Sequence, residues 1–161
     1  MGSAQLLLVA GGLILLGVVS LTIYNSFGSK TDSDLYNEAY ITGSGVAQSI
    51  IDQILTKSFD QNTVSASVTD PNSLTAVNLL GPDAGESNVI QFNDVDDYKN
   101  YSRDDTLSVM GIFHSHVDVN YATKMNPDQL SGARTFTKRI DVFVTNVYLK
   151  DTLKFSYAKT Y

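Results

Sequence analysis

The chain contains no cysteine and no tryptophan among its 161 residues, and only three prolines. Without cysteine it can form no disulfide, no thiol nucleophile and no cysteine-ligated zinc or iron–sulfur centre. Positive charge is also scarce, since 11 lysines and arginines stand against 17 aspartates and glutamates, for a net charge of −6. Phosphate binding needs clustered lysine and arginine, so nucleic acid is not expected as a partner.

Charge of either sign is absent from the first 29 residues, and Lys30 is the first charged side chain. Within this segment, residues 6–19 form an unbroken apolar run, LLLVAGGLILLGVV. A helix rises about 1.5 Å per residue, so the stretch from Ala4 to Tyr24 is long enough to cross a hydrocarbon core of about 30 Å. Three interpretations are open: a secretory signal peptide, a single-pass membrane anchor, and a pilin-type helix that packs against copies of itself in a filament.

The flanks of the apolar run favour the pilin-type helix. A signal peptide begins with positive charge, and an anchor usually carries lysine or arginine on its cytoplasmic side, whereas residues 1–5 read MGSAQ. Gly11, Gly12 and Gly17 would let neighbouring helices approach closely in an apolar bundle. Gln5 is the one strongly polar side chain near the start, and away from water its amide needs a partner, which the N-terminal amine of a neighbouring copy could supply.

An amphipathic helical pattern follows in residues 31–57. Its apolar stripe repeats at intervals of three and four residues and comprises Tyr36, Tyr40, Gly43, Ala47, Ile50 and Ile54. Thr31 to Ser33 offer N-cap side chains, and residues 27–30 could form a soft joint between the two helical patterns. We predict one nearly continuous helix, because no proline interrupts residues 1–70.

From Asp60 onward, short alternating segments bounded by turn residues predict strands. The predicted strands are residues 63–69, 76–80, 88–92, 106–122, 135–148 and 152–161. The fourth, with a bend at Gly111, places Phe113 and Val117 on its buried face and Met110 on the opposite face, and the last two form a hairpin. A helix of residues 1–57, followed by an antiparallel β head domain of residues 60–161, gives an α+β fold.

Two groups of potential metal ligands occur in the head domain. His114 and His116 lie on one face of a predicted strand, and alternate-residue histidines can bind zinc or copper if a third ligand joins them. Asp94 and Asp96 belong to an acidic segment, residues 93–97, whose carboxylates suit Ca²⁺ although their spacing is not that of an EF-hand. In both cases a solvent-facing group is the simpler interpretation, and we expect neither a metal nor a cofactor.

The order of these parts resembles the type IV pilin superfamily, in which an apolar half-helix, an amphipathic half-helix and an antiparallel sheet follow one another. FNDVDDYKNYS (92–102), followed by the strand ending in VDVNYA (117–122), looks like the acidic segment of minor pilins related to the mannose-sensitive haemagglutinin pilus. TKRIDVFV (137–144) and LKFSYAKTY (153–161) are similar to the closing strands of that group. Gln5 stands where pilins typically carry a glutamate, and the helix-breaking proline of bacterial pilins is missing.

The resemblance implies a structural subunit of an extracellular type IV pilus-like filament rather than an enzyme. Such a chain waits in the inner membrane, requires a prepilin peptidase and the pilus assembly machinery, and polymerises with copies of itself at the cell surface. The residues expected in the filament core are Met1, Gln5, Leu6, Leu7, Leu8, Gly11, Gly12, Leu13, Leu15, Leu16, Val19 and Ile23. The alternatives are a minor pilin or secretion pseudopilin at a filament tip, and a single-pass membrane-anchored binding domain that does not polymerise.

Overall fold

The structure, a computed structural model, describes residues 2–161 apart from the side chain of Ser29. Within these residues one long helix, α1 (Ser3–Leu55), precedes four strands: β1 (Ser102–Leu107), β2 (Gly111–Tyr121), β3 (Thr137–Thr145) and β4 (Leu153–Thr160). The strands form one antiparallel sheet in the order β1-β2-β3-β4. This arrangement confirms the α+β class predicted from the sequence.

The chain divides into two compact units, and α1 belongs to both of them. The first unit ends at Glu38, and the second comprises Ala39–Tyr161. The helix continues without a break through Gly28, as the absence of proline predicted. The hydroxyl of Thr31 donates to the carbonyl oxygen of Phe27 at 3.0 Å, inside the helix, so Thr31 starts no new helix as an N-cap.

The main core of the second unit lies between α1 and the inner face of the sheet. The helix contributes Ala39, Ala47, Ile50, Ile51 and Ile54, and the sheet contributes Phe113, Val117, Val119, Ile140, Val142 and Val144, all of them buried. Successive side chains of a strand point to opposite faces, so the in-phase apolar residues of β2 and β3 line the same side. The inner face predicted for Phe113 and Val117 is therefore confirmed.

The three strands predicted between residues 63 and 92 are wrong. Residues 61–63, 71–73 and 77–79 form short 3-10 helices, and turns occupy most of residues 88–92. Aspartate side chains close two of these turns, because Asp60 and Asp70 accept hydrogen bonds from backbone N–H groups two residues onward. Such local side-chain bonds offer the backbone an alternative to a strand ladder.

The single strand predicted over residues 106–122 is also wrong, because the chain reverses there. A turn at residues 108–110 separates β1 from β2, and the two strands pair from Leu107 opposite Gly111. Gly111 has a φ of 74°, a left-handed conformation that glycine adopts without steric penalty. The reversal buries Met110, which is 3% exposed although its alternation phase predicted the outer face. By contrast, the hairpin predicted at the C-terminus is confirmed by the pairing of β3 with β4.

Gly43 allows the helix to pack closely on the sheet. A Cβ atom at this position would lie 3.1 Å from Leu153 Cδ1 and 3.4 Å from Phe113 Cε1. Glycine weakens a helix by about 1 kcal/mol relative to alanine. At position 43 this cost is offset, because a larger side chain would crowd the sheet. Gly45, two residues onward, is exposed and has no such neighbour within 4 Å.

The first prediction compares these two glycines. Gly43→Leu should lower the thermal unfolding midpoint of the second unit, because an overpacked side chain typically destabilises a core by about 1–3 kcal/mol. Gly45→Leu, the matched control, should leave the midpoint unchanged or raise it, because leucine is the better helix former. Circular dichroism during heating measures both variants. Equal midpoints for the two would contradict the close packing at Gly43.

Candidate functional site

The apolar segment, residues 3–27 of α1, presents hydrophobic side chains to its surroundings. Leu7, Leu8 and Ile14 are 73%, 77% and 69% exposed. A helix that is apolar on all sides is stable when lipid or protein surrounds it. A continuous exposed hydrophobic surface of this kind marks a site of protein–protein or membrane interaction.

The residues predicted for the filament core cover the whole circumference of this segment. Eight apolar members of that set are between 48% and 77% exposed: Leu6, Leu7, Leu8, Leu13, Leu15, Leu16, Val19 and Ile23. With 3.6 residues per turn, consecutive residues such as 6–8 point in different directions. Added Cβ atoms at Gly11 and Gly12 would meet nothing within 4 Å. Met1, the remaining apolar member of the predicted set, lies outside the described residues.

Gln5 has a hydrogen-bonding partner in the first turn of its own helix. The backbone N–H of Gly2 donates to Gln5 Oε1 at 3.3 Å, and the N–H of Gln5 donates to the carbonyl oxygen of Gly2 at 3.0 Å. The first bond is one half of a capping box, in which a side chain at the third helical position satisfies an N-terminal donor; the second is an ordinary backbone bond of the first turn. The pairing with a neighbouring copy stays a prediction.

Length and composition would also allow α1 to cross a membrane. Among the described residues it is the one helix with such a stretch, and none of the apolar window is buried within the chain. A membrane anchor and a signal sequence share these properties.

A second notable site, the lysine site, lies inside the second unit. Lys138 of β3 is completely buried, and its Nζ donates to Asp60 Oδ2 at 2.9 Å, to Asp96 Oδ1 and to the carbonyl oxygen of Phe59 at 2.8 Å. The centroids of the Phe59 and Tyr121 rings lie 4.7 and 5.2 Å from the same nitrogen. The site therefore combines an amine, two carboxyl groups and two aromatic rings, all shielded from water.

Asp60 is the most heavily bonded carboxylate of the lysine site. Besides Lys138, its oxygens accept from the N–H and hydroxyl of Thr75, from the N–H of Asn62 and from the hydroxyl of Tyr121, at 3.0–3.1 Å. Burial alone would raise the pKa of Asp60, but the charge of Lys138 and these hydrogen bonds outweigh it and lower that pKa. Asp60 is therefore the ionised partner of the lysine.

The acidic segment is buried rather than solvated, which contradicts the simpler interpretation made from the sequence. Asp94, Asp96 and Asp97 are 1%, 2% and 1% exposed. Asp94 Oδ1 accepts from the N–H groups of Asp96 and Asp97, and Asp97 Oδ2 accepts from those of Asn93 and Asp94. The aspartates thus close a tight turn with their own side chains.

Carboxylate oxygens of Asp83, Asp94 and Asp97 lie within 4.8 Å of one another and could hold a Ca²⁺ ion. Asp83 Oδ2 and Asn93 Oδ1 are buried and have no hydrogen-bond partner among the described residues. Asp96, a candidate calcium ligand in the sequence, is directed to Lys138 instead. Asp83 is a carboxylate of this group that the sequence pattern did not identify, and the expectation that no metal binds stays a prediction.

The two histidines lie on the outer face of the sheet. His114 Nδ1 lies 2.7 Å from Asp104 Oδ1, and His116 Nδ1 lies 3.1 Å from Ser102 Oγ. Each contact joins a residue of β2 to a residue of β1. The one group of three or more potential metal ligands found among the described residues contains neither histidine. The structure therefore does not bring the histidines together with Asp94 and Asp96.

Sequence reasoning missed the lysine site, although one signal was present. Lys138 shares its alternation phase with Ile140, Val142 and Val144, whose side chains line the core. A lysine in phase with a buried apolar face predicts either a strand end or a buried, paired charge. Its carboxyl partners lie 42 and 78 residues away in sequence, so no local pattern identifies them.

The second prediction concerns the pH dependence of stability. Burial, followed by the charges of Asp96 and Asp97, raises the pKa of Asp94 from 3.8 to about 8. The folded protein then holds a proton that the unfolded chain has released, so the free energy of unfolding should fall as pH rises from about 4 to about 8. Asp94→Asn keeps the Oδ1 acceptor and does not titrate, so its profile should be flatter. Burial also raises the pKa of Asp96, so some slope should remain.

Urea unfolding at several pH values across this window measures the effect. Asp151→Asn serves as the control, because Asp151 is exposed in the turn between β3 and β4, and it should reproduce the slope of the parent protein. An Asp94→Asn profile as steep as that of the parent would contradict the raised pKa.

Comparisons of the chain with protein-family models, with curated proteins and with solved structures gave no match. The function proposed for it therefore depends on the chemistry of its own residues.

Proposed function

We propose that this chain is a structural subunit of a type IV pilin-like filament and polymerises through the apolar segment. The observation that carries the proposal is a charge-free helical surface, residues 3–27, whose leucines, isoleucines and valines are about half exposed or more on every side. Water is an unfavourable environment for such a surface, at roughly 25 cal/mol for each Å² of apolar area. Copies of the same segment would bury it in a helical bundle.

Three features of the segment support packing against copies of itself. Gly11, Gly12 and Gly17 have open space around their Cα atoms, which allows a neighbouring backbone to approach closely. No charged side chain would enter the bundle, because Lys30 is the first in the chain. Each subunit could bury on the order of 2,000 Å² or more, as obligate assemblies do.

The second unit supplies the water-facing part of the proposed filament. It carries nearly all of the charged residues, and its own core is closed by α1 and the sheet. An acidic surface keeps such a unit soluble and discourages non-specific contacts. The proposed mechanism is thus mechanical: the apolar segment assembles, the second unit stays in water, and no catalytic step is required.

The proposed route runs from the inner membrane to the cell surface. The apolar segment would reside in the lipid before assembly, for which its length suffices. Processing by a prepilin peptidase and extraction by pilus assembly machinery would then exchange lipid contacts for contacts between copies.

A membrane-anchored binding domain is the second candidate, because the same helix could remain in the bilayer. Negative-stain microscopy of sheared cell-surface material, with mass spectrometry of its main band, separates the candidates. Long filaments made mostly of this chain would support the proposal, and trace amounts in a filament would indicate a minor subunit. Recovery from the membrane fraction alone would contradict polymerisation.

The third prediction tests the apolar segment directly. Ile14→Lys should abolish filaments, because a lysine at the centre of an apolar environment costs roughly 3 kcal/mol per helix. Ile90→Lys is the matched control, since Ile90 is 85% exposed in a loop of the second unit. Filament yield by microscopy should be lost in the first variant and kept in the second. Far-ultraviolet circular dichroism should show both folded, and filaments of normal yield from Ile14→Lys would refute the proposal.

A further inference from the structure

The lysine site holds a primary amine and a carboxyl group in contact and away from water. The Nζ atom of Lys138 contacts Oδ1 of Asp96, and neither side chain is more than 2% exposed. In water an amine and a carboxylic acid do not condense to an amide, because both ions are well solvated and water drives hydrolysis. Burial weakens both obstacles, because it disfavours the charged forms relative to the neutral ones and keeps bulk water, which would hydrolyse the amide, out of the site.

The ring faces around the nitrogen strengthen the exclusion of water. Phe59 and Tyr121 are 4% and 0% exposed, and both rings lie within about 5 Å of Lys138 Nζ. The amine is enclosed, because the Lys138 side chain is 0% exposed and three acceptors hold its Nζ atom. The reacting atoms are thus held close together for the lifetime of the folded state, which is the condition for a large effective concentration.

Asp60 is placed to move protons between the amine and Asp96. Its Oδ2 atom lies 2.9 Å from Lys138 Nζ, and the same nitrogen contacts Asp96 Oδ1. Asp60 is the ionised partner, because the charge of Lys138 and hydrogen bonds from Thr75 and Asn62 outweigh burial and lower its pKa. A carboxylate in direct contact with an ammonium group can take one of its protons in a water-free site, because burial disfavours the charged pair relative to the neutral one.

We propose that Lys138 and Asp96 form an intramolecular isopeptide bond, with Asp60 as the proton carrier. Asp60 takes a proton from the ammonium group, and the free amine attacks Cγ of Asp96 while Asp60 passes this proton to the carboxyl oxygen. Asp60 then takes a second proton from the nitrogen and passes it to the departing hydroxyl group. One C–N bond forms, one C–O bond breaks and one water leaves.

The overall reaction converts an ammonium and a carboxylate into an amide and a water, and Asp60 recovers its starting state. No oxidant, reductant or activating co-reactant is needed. The bond would join the 3-10 helix of residues 96–98 to β3, across 42 residues of sequence. A covalent link over this distance restricts the unfolded chain and should slow unfolding.

The fourth prediction is a mass measurement on the full chain purified in detergent. The denatured protein should be lighter than its sequence by one water. Trypsin should release a branched peptide joining residues 58–99 to residues 135–139, because a modified Lys138 no longer directs cleavage. Fragment ions should place the link at Asp96. An unshifted mass with a free peptide of residues 135–138 would overturn the proposal, and so would a link at Asp60.

Variants test the role of each group. Lys138→Gln should restore the mass expected from its sequence, whereas the control Lys154→Gln, at a partly exposed lysine 3.4 Å from Asp141, should keep the loss of one water. Asp96→Asn should yield the same branched peptide by loss of ammonia. Asp60→Asn should slow formation of the link by about 100-fold or more, the range that general acid–base catalysis contributes, and so leave most of the freshly purified protein unlinked. Full linkage in folded Asp60→Asn would refute its role, and the result for the parent protein stands even if a variant fails to fold.

Discussion

The buried side chain of Lys138, which enters the fold as an ammonium group before any link to Asp96 forms, is the constraint on which the second unit depends. Moving a charge out of water costs several kcal/mol unless hydrogen bonds and an opposite charge replace the solvent. Asp60, Asp96 and the carbonyl oxygen of Phe59 provide that replacement. These contacts fix three parts of the chain together: Phe59 and Asp60 just after α1, Asp96 before β1, and strand β3. They do so although most of residues 56–101 lack regular secondary structure.

The same constraint determines the state of the acidic segment. Lys138 forms ion pairs with Asp60 and Asp96, whereas the buried carboxyl groups of Asp94 and Asp97 accept backbone hydrogen bonds instead. Asp94 remains protonated, since burial and its acidic neighbours raise its pKa to about 8. Glu86 responds in the same direction, because desolvation and Asp97 raise its pKa. A compact acidic turn is thus possible because its carboxyl oxygens accept backbone N–H bonds and the raised pKa of Asp94 removes one of its charges.

The helix and the C-terminal hairpin could be predicted from the spacing of apolar residues, and both are confirmed. The elements whose structure depends on particular side-chain contacts, local or distant, could not. The alternating residues 63–69 form no strand, because Asp60 and Thr63 close a turn at the start of the segment. The reversal at Gly111 depends on one backbone angle. The lysine site depends on partners 42 and 78 residues away, which only the folded chain brings together.

The two units differ in whether their apolar side chains are buried within the chain. In the second unit apolar side chains meet one another across α1 and the sheet, and even a buried lysine has its partners. In the apolar segment the side chains of Leu7, Leu8 and Ile14 have no such cover. Cover must then come from outside the chain, and lipid and copies of the segment are equally apolar. Lipid solvates such a helix as a single chain, whereas a neighbouring copy could also pack closely against its glycine positions, and this difference is the reason for proposing assembly.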